Sequence, residues 1–260
     1  MADNIGNKAA HDYHLDMPPV QEGFYVKGAS HCDFGMKSRL ARMFNPKSGN
    51  TVMLAFDHGY IMGATAGLER MDVTIAPLCR HADVLMATRG AIRSCIPPTV
   101  HNAICLRATH DASVLIDDMS TGNGVGADME AAIRMNASAV AIQCFIGGAG
   151  EARSLETLCR AVDAGERYGI PVLGVTAVGK EMARTTQYFL LATRMLAELG
   201  ASFVKTYYCD DFEKVVAACP VPIVIAGGKK LPEDEALTLA YRSIQGGARG
   251  LDMGRNIFQS

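Results

Sequence analysis

A chain of 260 residues that is 49% hydrophobic has enough apolar material for one large folded domain, and 25 Lys+Arg against 27 Asp+Glu leave no basic excess. With no polybasic run, nucleic acid and anionic membrane are excluded as the main partner. Met1–Val20 is polar and mixed in charge, and no stretch approaches the length of a membrane span, so the expected setting is the cytoplasm.

In chain order, residues 1–50 read as an N-terminal extension with one helix. Asp33 can cap it, Met36, Leu40, Met43 and Phe44 follow helical spacing, and Asn45-Pro46 ends it. Its expected role is a plug on the domain that follows or an oligomer contact. From residue 51 a strand-then-helix rhythm sets in. Short apolar runs predict strands at 52–56, 84–87, 103–107, 139–144, 172–176, 203–207, 223–226 and 250–253. Between them, Glu151–Tyr168 is helical and stops at Gly169 before Pro171, and 181–199 is helical and stops at Gly200. Two further helices open on Asp210-Asp211 and on Pro232-Glu233-Asp234-Glu235, where acidic groups suit the positive helix end. Eight alternations predict an α/β fold of the (β/α)8 TIM barrel type over residues 51–260; a doubly wound open sheet is the alternative. The sequence stops at Ser260, straight after the eighth strand, so the eighth helix is absent from it. The groove this leaves is expected to be covered by further chain or by a neighbouring subunit.

Cys32, Cys79, Cys95, Cys105, Cys144, Cys159, Cys209 and Cys219 are scattered without a C-x-x-C, and several lie inside apolar runs. They read as small core residues in a reducing compartment, with neither disulfides nor a metal site expected.

The working residues of such a barrel lie at the C-terminal ends of its strands. Lys205 stands in the run Phe203-Val204-Lys205-Thr206-Tyr207, on the same side as Phe203 and Tyr207. Burial disfavours an ammonium, so a lysine so placed is suited to act as a free amine in imine chemistry, unless it snorkels out or pairs with a carboxylate. Strand seven ends in Gly227-Gly228-Lys229 and strand eight in Gly254-Arg255. Glycines that let backbone N–H groups approach, beside a cation, predict a phosphate site at these two neighbouring loops. Asp57 and His58 end strand one, across the mouth from Lys205. Either could move protons, with Asp57 preferred. The segment 109–127, with Gly122-Asn123-Gly124-Val125-Gly126, reads as a lid or as disordered chain.

Phe56-Asp57-His58-Gly59, Val204-Lys205-Thr206, Ala226-Gly227-Gly228 and the run Asp252-Met253-Gly254-Arg255-Asn256-Ile257-Phe258-Gln259 together resemble the archaeal-type class I fructose-bisphosphate aldolase family. The resemblance implies that Lys205 forms a Schiff base with a phosphorylated ketone. Residues 38–46, 51–60, 81–90, 170–210 and 219–232 are most similar to a branch of the family that carries acetyl from 3-hydroxy-5-phosphonooxypentane-2,4-dione to coenzyme A. Its products are glycerone phosphate and acetyl-coenzyme A, formed in breakdown of the phosphorylated autoinducer-2 signal. That likeness implies coenzyme A as co-substrate, no permanently bound cofactor, and a cytoplasmic homo-oligomer, a decamer. Residues 109–128 and the strand-four exit at 144–150 depart from that branch. Two alternatives stand beside acetyl transfer: aldol cleavage of a phosphorylated sugar, and a phosphosugar-binding barrel without turnover. The aldolases of the family use a tyrosine at the end of strand five, where this chain has Thr176-Ala177-Val178-Gly179-Lys180.

Overall fold

The structure is a computed structural model and describes residues 12–18, 24–177 and 184–260. Eight parallel strands close into a barrel: Thr51–Ala55, Val84–Ala87, Ala103–Arg107, Ala139–Cys144, Val172–Thr176, Phe203–Thr206, Ile223–Ala226 and Gly250–Met253. The first pairs with both the second and the eighth, in the registers Met53↔Val84 and Thr51↔Gly250, which rules out the open sheet. Six of the eight strands have the predicted bounds. The first begins and ends one residue early, and the sixth stops at Thr206, short of Tyr207.

Alternation along the strands divides the core in two. Met53, Ala55, Met86, Cys105, Ala141, Leu173, Val175, Phe203 and Val224 fill the barrel. Val140, Ile142, Val204 and Ile225 point outward against the helices. Lys205, two residues beyond Phe203, therefore faces the interior one level nearer the mouth.

The helix Phe34–Met43 is capped by Asp33, whose carboxylate accepts from the Met36 N–H at 2.8 Å. Met36, Leu40, Met43 and Phe44 pack with the inward strand residues, and the Phe44 ring meets Phe203 edge-on at 5.6 Å. Of the two expectations for this helix, its packing is that of a plug at the end opposite the mouth. Glu151–Tyr168 has the predicted bounds and ends at Gly169 in the left-handed region, φ 67°. The next helix runs Thr186–Glu198 and starts at its Thr185 cap; residues 181–183 of the predicted helix lie outside the described residues. Phe212–Ala218 and Glu233–Gln245 follow the sixth and seventh strands. After the eighth comes the helical turn Arg255–Phe258, and the long helix before it exposes Leu237 and Tyr241.

Residues 109–127 are folded. Thr109–His110 pairs antiparallel with Gly124–Val125, and Met119–Gly122 forms a 3-10 turn. No helix among the described residues is long and apolar enough to cross a membrane.

Candidate active site

Lys205 is held by what surrounds its strand. Val204 is anchored outside, Phe203 fixes the level below, and the Thr176 hydroxyl bonds both the Lys205 carbonyl (3.1 Å) and the Thr206 hydroxyl (3.0 Å). Its side chain is only 11% exposed, and Nζ lies 3.0 Å from Asp252 Oδ2 of the eighth strand and 3.7 Å from Met86 Sδ. Asp252 is wholly buried, and Oδ1 has no partner among the described residues. The contact is a buried ion pair. Burial pushes the Asp252 carboxyl above the ordinary carboxylate range, with Lys205 pulling the other way. The lysine thus does not snorkel but pairs with a carboxylate, the exception to a free amine that the sequence left open.

Asp57 leaves the first strand beside a second buried pair. Arg107 Nε donates to Asp57 Oδ2 at 2.7 Å, and both side chains are shielded from solvent. Burial alone would raise the Asp57 carboxyl, but Arg107, Lys205 and His58 outweigh it and hold the group below its ordinary value, as a carboxylate. His58 Nδ1 is 3.9 Å from Asp57 Oδ1. Burial, helped by the charges of Lys205, Arg255 and Arg107, lowers His58 below the usual imidazole range despite Asp57, so the ring is neutral at pH 7. Arg107 also lies 5.8 Å from the centre of the Tyr60 ring. The Tyr60 hydroxyl donates to Asp111, and the Asn123 amide donates to the same carboxylate at 2.7 Å. The Tyr60 bond, with a second from the Asn123 amide to the Gln143 carbonyl at 3.3 Å, fastens segment 109–127 to the mouth as a wall, while the Asn123–Asp111 bond braces the segment internally. Arg107 Nη1 and Asn123 Oδ1 are buried without partners among the described residues.

The two glycine loops meet as expected. Asn256 accepts from Leu231 N–H at 2.7 Å and donates to the Gly227 carbonyl at 3.0 Å, which ties the seventh-strand loop to the eighth. Gly228 is left-handed, φ 70°. At Gly254 a Cβ would strike the Ala55 carbonyl and the His58 ring, so the backbone there packs directly against the first strand's exit. Arg255 Nε is buried and unpartnered among the described residues, Lys229 is exposed, and Lys230 bonds Ser260. A cation that sequence reasoning missed joins them: Arg184, from the fifth-strand loop, stacks 3.9 Å over the Tyr207 ring beside Gly228. Lys205, Asp57, His58, Gly227, Gly228, Gly254 and Arg255 share one end of the barrel. Asp252, Arg107, Tyr60, Asp111, Asn123 and Arg184 are the additions.

A family model described as DeoC/LacD family aldolase matches residues 51–260, the whole barrel. The chain belongs to the DeoC/LacD aldolase family. An uncharacterized aldolase of Pasteurella multocida is 53% identical over all of this chain and 89% of its own length. Proteins named 3-hydroxy-5-phosphonooxypentane-2,4-dione thiolase are similar at the same scale. That of Salmonella typhimurium is 52% identical over all of this chain and 89% of its own, and that of an Enterobacter species 54% over all of this chain and 88% of its own. Among solved structures, an archaeal fructose-1,6-bisphosphate aldolase whose catalytic lysine is bound to the carbinolamine of its substrate shares the fold of this DeoC/LacD chain. Its TM-score is 0.75 at 23% identity, over 86% of this chain and 93% of that one. An aldolase barrel is therefore the scaffold on which Lys205 and Asp252 meet.

Proposed function

We propose that this chain is a Schiff-base thiolase that moves acetyl from 3-hydroxy-5-phosphonooxypentane-2,4-dione to coenzyme A. The observation that carries the reading is Lys205, a lysine shielded in the mouth of an aldolase barrel and paired with a carboxylate. The full-length relatives named for that thiolase select the substrate.

In this reading the phosphate rests on the backbone N–H groups of Gly227, Gly228 and Gly254, with Arg255, Lys229 and Arg184 supplying charge. Lys205 condenses with the ketone next to the phosphate-bearing carbon, and the iminium becomes the electron sink. The coenzyme A thiolate adds to the acetyl carbonyl, and the C–C bond beside it breaks. The bond's electron pair passes into the enamine of glycerone phosphate, which is then protonated and hydrolysed from Lys205. His58, neutral and with Nδ1 3.9 Å from the Asp57 carboxylate, takes the thiol proton. Arg107 Nη1 holds the acetyl carbonyl oxygen as charge develops on it. A cavity of about 380 Å³ lies at the exit of the first strand, bordered by Asp57, Tyr60, Gly63 and Thr88.

Aldol cleavage would instead need an acid–base group for a substrate hydroxyl. The fifth strand leaves by Thr176 and Ala177, and the Tyr188 hydroxyl near that exit donates to the Ile146 carbonyl at 3.0 Å. Residues Val178, Gly179 and Lys180 of the same exit lie outside the described residues.

Incubation with the dione is expected to give acetyl-coenzyme A only when coenzyme A is present, with negligible cleavage of fructose 1,6-bisphosphate. Rapid coenzyme-A-independent cleavage of the sugar, with no acetyl-coenzyme A from the dione, would overturn the assignment. For the phosphate loops, Gly254→Ala should weaken glycerol 3-phosphate binding by about tenfold or more, about 1.4 kcal/mol, because the new methyl must displace backbone or the His58 ring. Unchanged affinity by calorimetry would move the phosphate elsewhere.

A further inference from the structure

The Lys205–Asp252 pair sets a chemical problem that its own geometry answers. An ammonium cannot attack a ketone, so a proton must leave Nζ before condensation. The carbinolamine that follows must then receive a proton on its hydroxyl to expel water. Solvent is a poor agent for either transfer where the amine is 11% exposed. Asp57, the carboxylate expected from the sequence to move protons, is committed to Arg107 at 2.7 Å and is held ionised by its surroundings, which suits it poorly to donate. Asp252 is in the opposite condition. It is wholly buried with Nζ 3.0 Å away, so the group that chiefly holds it as a carboxylate is the same one that must give up a proton. Burial, the largest influence on it, favours the protonated form.

We propose that Asp252 is the proton carrier of the imine step, a catalytic residue that takes one proton from Lys205 and returns it to the departing water. This rests on Lys205 being the imine-forming residue. The ammonium and the carboxylate become amine and carboxylic acid. The amine adds to the ketone carbon, and a proton moves from nitrogen to oxygen within the adduct to give the neutral carbinolamine. Asp252 then protonates the hydroxyl, the C–O bond breaks with release of water, and the nitrogen lone pair completes the iminium. The carboxylate is regenerated opposite the new positive charge, so the pair begins and ends with one positive and one negative group. Its position also suits it to stabilise the iminium while the neighbouring C–C bond breaks.

The experiment traps the iminium with cyanoborohydride after mixing enzyme with glycerone phosphate, and follows adduct mass against time. Asp252→Asn keeps the side-chain volume and removes the carried proton. It is expected to slow adduct formation about 100-fold while leaving affinity for glycerol 3-phosphate, which has no carbonyl, unchanged. Added buffer acid should speed the variant in proportion to its concentration and leave the wild type indifferent. Trapping by the variant at the wild-type rate would overturn the role. Should the variant fail to fold, the wild type alone decides: a trapping rate that rises in proportion to buffer acid means that the site holds no internal donor. A wild type that forms no adduct on Lys205 removes the imine reading and this inference together. A normal wild-type adduct with an unimpaired variant removes this inference only.

Discussion

Lys205→Met is expected to abolish turnover and to lower stability by about 3–5 kcal/mol at neutral pH, although methionine nearly matches the lost volume. The cost comes from Asp252. Its side chain is fully buried, and Lys205 is the cation 3.0 Å from it. Without the lysine it must stay charged and unpaired or take up a proton. Burial already raises its carboxyl above the unfolded value, opposed chiefly by Lys205, and removing Lys205 raises it further. A group with a raised folded value favours folding when protonated. That stability is fully present below the unfolded value and is lost as pH rises through the folded one. The deficit of Lys205→Met should therefore be larger at about pH 8 than at about pH 5. Adding Asp252→Leu should recover most of it, since a buried pair replaced by apolar groups is often neutral. Denaturant titrations of the three proteins check this. A single variant within about 1 kcal/mol of wild type at both pH values would show that the pair is not desolvated as described.

Arg107→Met should be the second large loss, about 3–5 kcal/mol in stability and about 100- to 1000-fold in kcat. Arg107 neutralises Asp57 through a 2.7 Å bond and leaves Nη1 buried and unpartnered among the described residues. The wild-type pair depresses the Asp57 carboxyl, so its stabilisation is present above the unfolded value, about 3.9, and fades as pH falls through the folded one. In Arg107→Met that acid-side loss should disappear. Arg107→Lys would keep the charge but not the planar fork, and should recover stability more than kcat. Equal recovery of both would reduce Arg107 to a counter-charge for Asp57.

The scaffold was legible because its signals are local. Apolar runs bounded by glycine, proline and caps such as Asp33 and Gly169 fix where strands and helices begin and end, and two-fold alternation places Lys205 beside Phe203 on the inward face. The partners were not legible, because no local pattern says which inward residues meet. Lys205 meets Asp252, and Asp57 meets Arg107, only through barrel closure and the stagger of its strands. Asp252 was visible within the motif before Gly254, yet nothing in Gly-Leu-Asp-Met distinguishes a buried carboxylate from a strand-end cap. Segment 109–127 misled through its glycines. Its composition suits a lid or disorder, but Asp111 and Asn123 reach Tyr60 and the Gln143 carbonyl and bind it down. Arg184 carries no sequence signal at all, since its role depends on Tyr207 lying beneath it.

The most direct measurement is reduction of the enzyme with borohydride in the presence of glycerone phosphate, followed by peptide mass mapping. The structure predicts that the ligand's mass appears on the peptide containing Lys205 and is absent from Lys205→Met. Unmodified protein, under conditions where a known Schiff-base aldolase is labelled, would contradict it.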